Sequence, residues 1–142
     1  MGQVLGIADV IRMASPSHTP RLPQPKRGEI WFVKLPTDPP EKHGRPVVIV
    51  SIDARNFHER ATTVLVVPLS TTPARLPTHI SLTPGETNLQ ENSTIQSENI
   101  TTVLKSSLRQ PKYPLRRLSA GTLERIAEGV LIAMGISASG CR

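Results

Sequence analysis

Rings, thiols and acids are all in short supply in this chain. Aromatic residues make up 3% of it: one Trp, one Tyr and two Phe. That is too few to floor a sheet on which successive bases stack, as RNA-recognition domains require. The one cysteine, Cys141, stands beside the C-terminal Arg142. A disulfide framework and a cysteine metal cluster are therefore excluded, and the chain suits a reducing cytosol. No stretch approaches the roughly 20 apolar residues of a membrane span. Met1 to Asp9 lacks a basic beginning and meets Asp9 before an apolar run forms, so it does not read as a signal peptide. Gly6 stands where an N-myristoylation pattern needs Ser or Thr. We expect a soluble cytoplasmic protein with no membrane contact.

Catalytic and phosphate-binding signatures are missing too. The chain holds no GxxxxGK[ST], no HExxH and no Gly-x-Ser-x-Gly. Its histidines, His18, His43, His58 and His79, fall in unrelated segments without ligand spacing. No metal and no cofactor is expected. Acids number 11 against 17 Lys and Arg, a net +6. Such a surplus suits a polyanionic partner such as nucleic acid without demanding one.

What remains describes one domain of 142 residues, 37% hydrophobic and 20% charged, enough for a packed core. Its 14 prolines argue for short elements on stiff connections rather than a bundle of helices. Residues 1–25, Pro-rich from Ser15 onward, read as a flexible extension, 26–137 as the folded domain and 138–142 as a short tail. Strands are predicted over Glu29–Leu35, Pro46–Ile52, Thr62–Leu69 and Thr78–Leu82. The β-branched run Pro46–Ile52 is the pattern of a strand buried on both faces. One helical turn is predicted at Asp53–Arg60 and a turn at Pro84-Gly85. Ser93–Gln96 and Ile100–Leu104 read as one bent strand or two short ones, and Lys105–Pro114 as a basic loop.

The one long helix is predicted over residues 119–134. Ser119 can cap it, Leu118 and Leu123 staple its start, and Leu123, Ile126, Ala127, Val130 and Met134 form its apolar stripe. Leu131 and Ile132 widen that stripe beyond what one small domain needs, which points to a second subunit. The expected fold is mainly β with a C-terminal helix, a small and strongly curved antiparallel sheet or barrel.

Several segments, in order, resemble one family. Arg27-Gly28-Glu29-Ile30-Trp31 is similar to the opening RGEIW of the MazF/PemK toxins. Arg45-Pro46-Val47-Val48-Ile49-Val50-Ser51 resembles their RPVLVVS strand, and Val64–Thr72 their TVIVAPITS strand. Pro77-Thr78-His79-Ile80 resembles PTHV, and Leu118–Ile136 the closing helix. The resemblance implies an SH3-like barrel that dimerises. It also implies a metal-free, ribosome-independent endoribonuclease of a type II toxin–antitoxin module, with single-stranded RNA as substrate and an antitoxin protein as partner. Such members leave a 2′,3′-cyclic phosphate and a 5′-hydroxyl.

Carried over residue by residue, the family's catalytic arginine matches Arg45. A forked guanidinium is the side chain best suited to hold two phosphate oxygens. The family's threonine hydroxyl after the third strand matches Ser70, with Thr71 beside it; alternatively, the two only end a strand. Where many members read DQ(I/V)RT, this chain reads Glu98-Asn99-Ile100-Thr101-Thr102, so an acid and an amide persist but Thr101 replaces the second arginine. Glu98 is a candidate general base or a plain surface residue. His43, two residues before Arg45, is a further candidate base by its neutral-range chemistry.

Arg27, Lys42, Lys105, Arg109 and Lys112, with Arg116, Arg117 and Arg125, are candidates to hold RNA or an acidic antitoxin, or else form a solvated face. Two other readings stay open. One is a catalytically inactive RNA-binding protein of the same fold. The other is a gyrase poison like the CcdB toxins, whose helix ends on Trp-Gly-Ile where this chain has Met134-Gly135-Ile136.

Overall fold

The structure is a computed structural model that describes residues 22–36, 38–39 and 44–136. Its strands are β1 (Ile30–Val33), β2 (Arg45–Ile49), β3 (Thr63–Ser70), β4 (His79–Leu82), β5 (Ser93–Gln96) and β6 (Thr101–Leu104). Helical elements are α1 (Asp53–Asn56), α2 (Pro84–Thr87) and α3 (Ala120–Ala133), with 3-10 turns at Ser97–Asn99 and Lys105–Ser107. Pro84-Gly85 thus opens a short helix where a simple turn was expected. Residues 1–21 of the expected extension, residue 137, the whole tail 138–142, and both Lys42 and His43 lie outside the described residues.

All the ladders are antiparallel, in the order β1-β2-β3-β5-β4, with β6 also on β3. Among the described residues no ladder joins β1 to β4, so the sheet curves without closing into a ring. The eight-residue β3 makes this possible by changing partners. Its first part lies between β2 and β6, while Leu69 and Ser70 pair with β5. The change falls at Pro68, whose nitrogen has no hydrogen to donate to a ladder. Ser97–Asn99 separates β5 from β6, so this region is two short strands, each serving a different part of β3.

Alternation along β2 and β3 divides the core into two layers. Val48, Val67 and Leu69 face one layer with Ile80, Ile95, Leu123 and Ile126. Val47, Ile49, Val64 and Val66 face the other with Trp31, Val33, Leu35 and Leu108. That is why the run Pro46–Ile52 carries no polar alternation. α3 covers the first layer. Ser119 caps it, its Oγ accepting from Thr122 N at 3.2 Å, and both Leu118 and Leu123 are buried beside it.

Two glycines allow close approaches. Gly28 has φ 93°, and a Cβ there would lie 3.1 Å from the Leu118 carbonyl oxygen. At Gly129, α3 crosses the Ser97–Asn99 turn so closely that a Cβ would meet Ser97 Cβ and Oγ at 2.7 Å.

Candidate active site

Arg45 is the first residue of β2, opposite Val33 of β1, where the β1–β2 loop meets the sheet. Register decides what shares its face. Val47 pairs with Pro68 and Val66 with Thr101, so Arg45, Pro68 and Thr101 all project from one side of the sheet. On that side opens a cavity of about 550 Å³, walled by Leu35 and Pro36, by Arg45 and Pro68, and by Glu98, Asn99, Ile100 and Thr101.

The guanidinium is held from behind. Arg45 Nη2 lies 2.9 Å from Oδ1 of Asp38, whose side chain is 0% exposed while that of Arg45 is 22% exposed. This is a close ion pair that is not aligned as a hydrogen bond, and Arg45 Nε is buried with no partner of its own. Asp38 Oδ2 accepts from Leu35 N at 3.1 Å, and Asp38 N donates to the Leu35 carbonyl at 3.0 Å.

Glu98 is held with equal care. Thr78 Oγ1 donates to its Oε1 at 2.7 Å, and His79 Nε2 sits 2.9 Å from its Oε2. Because Arg75 N donates to His79 Nδ1 at 3.0 Å, the ring proton belongs on Nε2, which donates to Glu98. Burial pushes the Glu98 pKa up, but the hydrogen bonds from Thr78 and His79 outweigh it and leave the pKa below that of an ordinary glutamate. Glu98 is therefore a carboxylate at neutral pH, a firm hydrogen-bond acceptor and a weak proton carrier.

The cavity thus joins one arginine, one carboxylate, one amide and a threonine, and comparison with known proteins identifies the family. Residues 26–134 match the model of the PemK-like, MazF-like toxins of type II toxin–antitoxin systems. The chain belongs to this family. A curated relative, the endoribonuclease MazF of Staphylococcus saprophyticus, is 27% identical over 113 residues, which is 78% of this chain and 92% of the relative. A solved endoribonuclease in complex with its cognate antitoxin, from a mycobacterial species, is 27% identical with a TM-score of 0.60 over 78% of this chain and 95% of its own. The MazE–MazF structure from Deinococcus radiodurans, 16% identical with a TM-score of 0.61 over 80% of this chain and 99% of that one, shares the fold.

The cavity gathers Arg45, Glu98 and Asn99 from the sequence candidates, with Thr101 beside them. Asn99 is exposed, its Nδ2 donating to Gln96 Oε1. Ser70 is half-buried at the end of β3, its Oγ accepting from Thr72 N at 3.0 Å. Thr71 lines a smaller recess with Phe32 and Pro46.

The basic candidates do not converge on this cavity. Lys105 is 3% exposed and donates from Nζ to the His58 carbonyl, so the expected basic loop loses that charge to the interior. Arg27 is anchored at the far end of β2, its N donating to Asp53 Oδ1 and its Nε to the Val50 carbonyl. The Arg109 backbone exchanges hydrogen bonds with Phe32 and covers the β1 edge. Lys112 lines a hollow with Trp31 and Tyr113, and Arg116, Arg117 and Arg125 another at the start of α3.

Sequence reasoning missed Asp38, Thr78 and His79. Asp38 sits in a breaker-rich loop with nothing local to mark it. Thr78 and His79 lay within the PTH motif, whose role appears only when the chain returns to set Glu98 beside it.

Proposed function

We propose that this MazF-type endoribonuclease toxin cuts single-stranded RNA by attack of a 2′-hydroxyl on the adjacent phosphate. The 2′-oxygen bonds to phosphorus and gives up its proton. The bond from phosphorus to the 5′-oxygen breaks, and that oxygen takes a proton. A 2′,3′-cyclic phosphate and a 5′-hydroxyl result, with no outside nucleophile consumed. Arg45 neutralises the phosphorane oxygens, for which preorganised donors are worth most in a partly dry site. Glu98 accepts a hydrogen bond from the RNA and aligns it for in-line attack. Ser70 offers a hydroxyl from the end of β3.

The observation that carries the reading is the Arg45 guanidinium, braced by Asp38 and bordering the cavity with its Nε unpartnered. A long single-stranded RNA should be cut by the purified protein, with EDTA present, and left intact by Arg45→Ala. An analogue lacking the 2′-hydroxyl at the cut site should bind and stay whole. Cutting of that analogue, or full activity in Arg45→Ala, would overturn the mechanism. Thr101 favours a second reading, a slow or inactive RNA binder of the same fold, which predicts binding without cleavage.

The partners follow from the same family. A cytoplasmic antitoxin with an acidic, disordered segment would fold across the Arg45 groove, as the antitoxin complex of the mycobacterial relative supports. A homodimer is expected through the end of α3, where Ile132, Met134 and Ile136 are exposed.

A further inference from the structure

We infer that Asp38 is a positioning residue for Arg45, a buried carboxylate that decides which N–H groups of the guanidinium meet the scissile phosphate. The inference rests on the endoribonuclease reading above.

RNA cannot touch the Asp38 side chain, which is fully buried. Whatever it does to catalysis passes through Arg45. Its own orientation is fixed by the backbone. Oδ2 is held by Leu35 N, and the Asp38 amide returns to the Leu35 carbonyl, closing a tight turn. Leu35 is in turn packed in the core layer beside Trp31 and Val33. The carboxylate is thus tied to the sheet rather than carried by a free loop.

A guanidinium is a rigid plane with five N–H donors. Fixing Nη2 against Oδ1 restricts that plane, with the buried Nε–H unpartnered behind it, and leaves the exposed edge of the guanidinium for an incoming anion. Bidentate holding of a phosphate needs one edge of the fork turned to it. Among the described residues lining the cavity Arg45 is the one cation, Thr101 bringing none, so the angle of its guanidinium governs the in-line geometry. A competing role, in which Asp38 is a latch that RNA displaces, fits less well. Phosphate entering the cavity meets the exposed part of Arg45, and displacing Asp38 would strand a buried carboxylate without its cation.

Asp38→Asn keeps the shape and removes the charge. Groups standing behind a reacting group commonly account for about ten- to a hundredfold in activity, and kcat should fall by that much. KM and binding of RNA lacking the 2′-hydroxyl should stay within about twofold, because attraction to the backbone is spread over other cations. In an Arg45→Ala background the same change should cost nothing further. A purely structural role would instead lower the melting temperature and weaken binding together. Should the variant fold poorly, the wild type still decides the matter by NMR. The Arg45 Nε–H signal, identified by its loss in Arg45→Ala, should be sharp in the free protein and shift when the uncleavable RNA binds. An averaged signal would refute a fixed guanidinium. A wild type that leaves RNA uncut would overturn the reaction and the inference with it. A wild type that cuts, with Asp38→Asn cutting equally well or losing as much in the Arg45→Ala background, would overturn only the role of Asp38.

Discussion

Arg45 matters for its geometry as well as its charge. Losing one preorganised contact to a developing oxyanion costs about 3–4 kcal/mol, a rate loss of roughly a hundred- to a thousandfold. Arg45→Ala should show that loss in kcat with RNA affinity little changed, and Arg45→Lys should recover little because a point charge cannot match the fork. Single-turnover cleavage assays check both. Ser70→Ala should cost less, and Ser70→Thr should be tolerated because it restores the family's usual residue. Glu98 leads to a pH prediction. Its pKa is lowered by Thr78 and His79 against the opposing effect of burial. The ionised form therefore stabilises the fold fully above the ordinary glutamate value of 4.5, and this contribution is lost as pH falls through the lowered value. Urea melts should show wild type ahead of Glu98→Gln at neutral pH, with the gap closing below pH 4.5. A gap independent of pH would mean that the charge plays no part.

At the scale of elements, the crossing of α3 over the Ser97–Asn99 turn connects the helix to the cavity, because Glu98 and Asn99 ride on that turn. Gly129→Ala would drive a methyl against Ser97 Cβ and Oγ and, at 3.2 Å, against the Thr78 carbonyl oxygen. Overpacking of this kind costs about 1–3 kcal/mol, so thermal denaturation should show a clear drop. Ser97→Gly should return part of it by removing both side-chain atoms of the clash. Activity should fall more than stability alone explains, since the displaced turn carries Glu98. Ile126→Ala, buried at 2% in the same helix, should cost about 2–5 kcal/mol through cavity formation without that extra loss of activity.

For the whole molecule, the unfinished surface is the end of α3. Leu123, Ile126 and Gly129 are buried against the sheet, whereas Ile132 is 43%, Met134 65% and Ile136 40% exposed. Large apolar residues grouped at one end of a helix mark a contact with another chain, and two-fold pairing is the commonest way to cover them. Sedimentation at micromolar concentration should give twice the 15.5 kDa chain mass, and Met134→Glu should shift it toward the monomer. A wild-type monomer would leave this face to another partner.

Local chemistry was enough to read the strand runs, the Ser119 cap, Leu123, Ile126 and Val130 of the α3 stripe (though Ala127 and Met134 of that stripe are exposed) and Arg45 at the mouth of a buried strand. Each depends on neighbours within a few residues, where periodicity, capping and β-branching act. Motif order added the family and, through it, Glu98 and Asn99. The partners of those groups were decided by the fold. Asp38 reaches Arg45 only because the turn at Leu35 folds back on the start of β2. Thr78 and His79 reach Glu98 across twenty and nineteen positions of sequence because β4 pairs with β5. Lys105 looked like surface charge and is buried because its ammonium finds the His58 carbonyl, forty-seven positions away. Residue type and spacing set what each segment could become. Which charges stay free and which are used to hold others depends on contacts between segments distant in the chain, and only the tertiary structure brings those together.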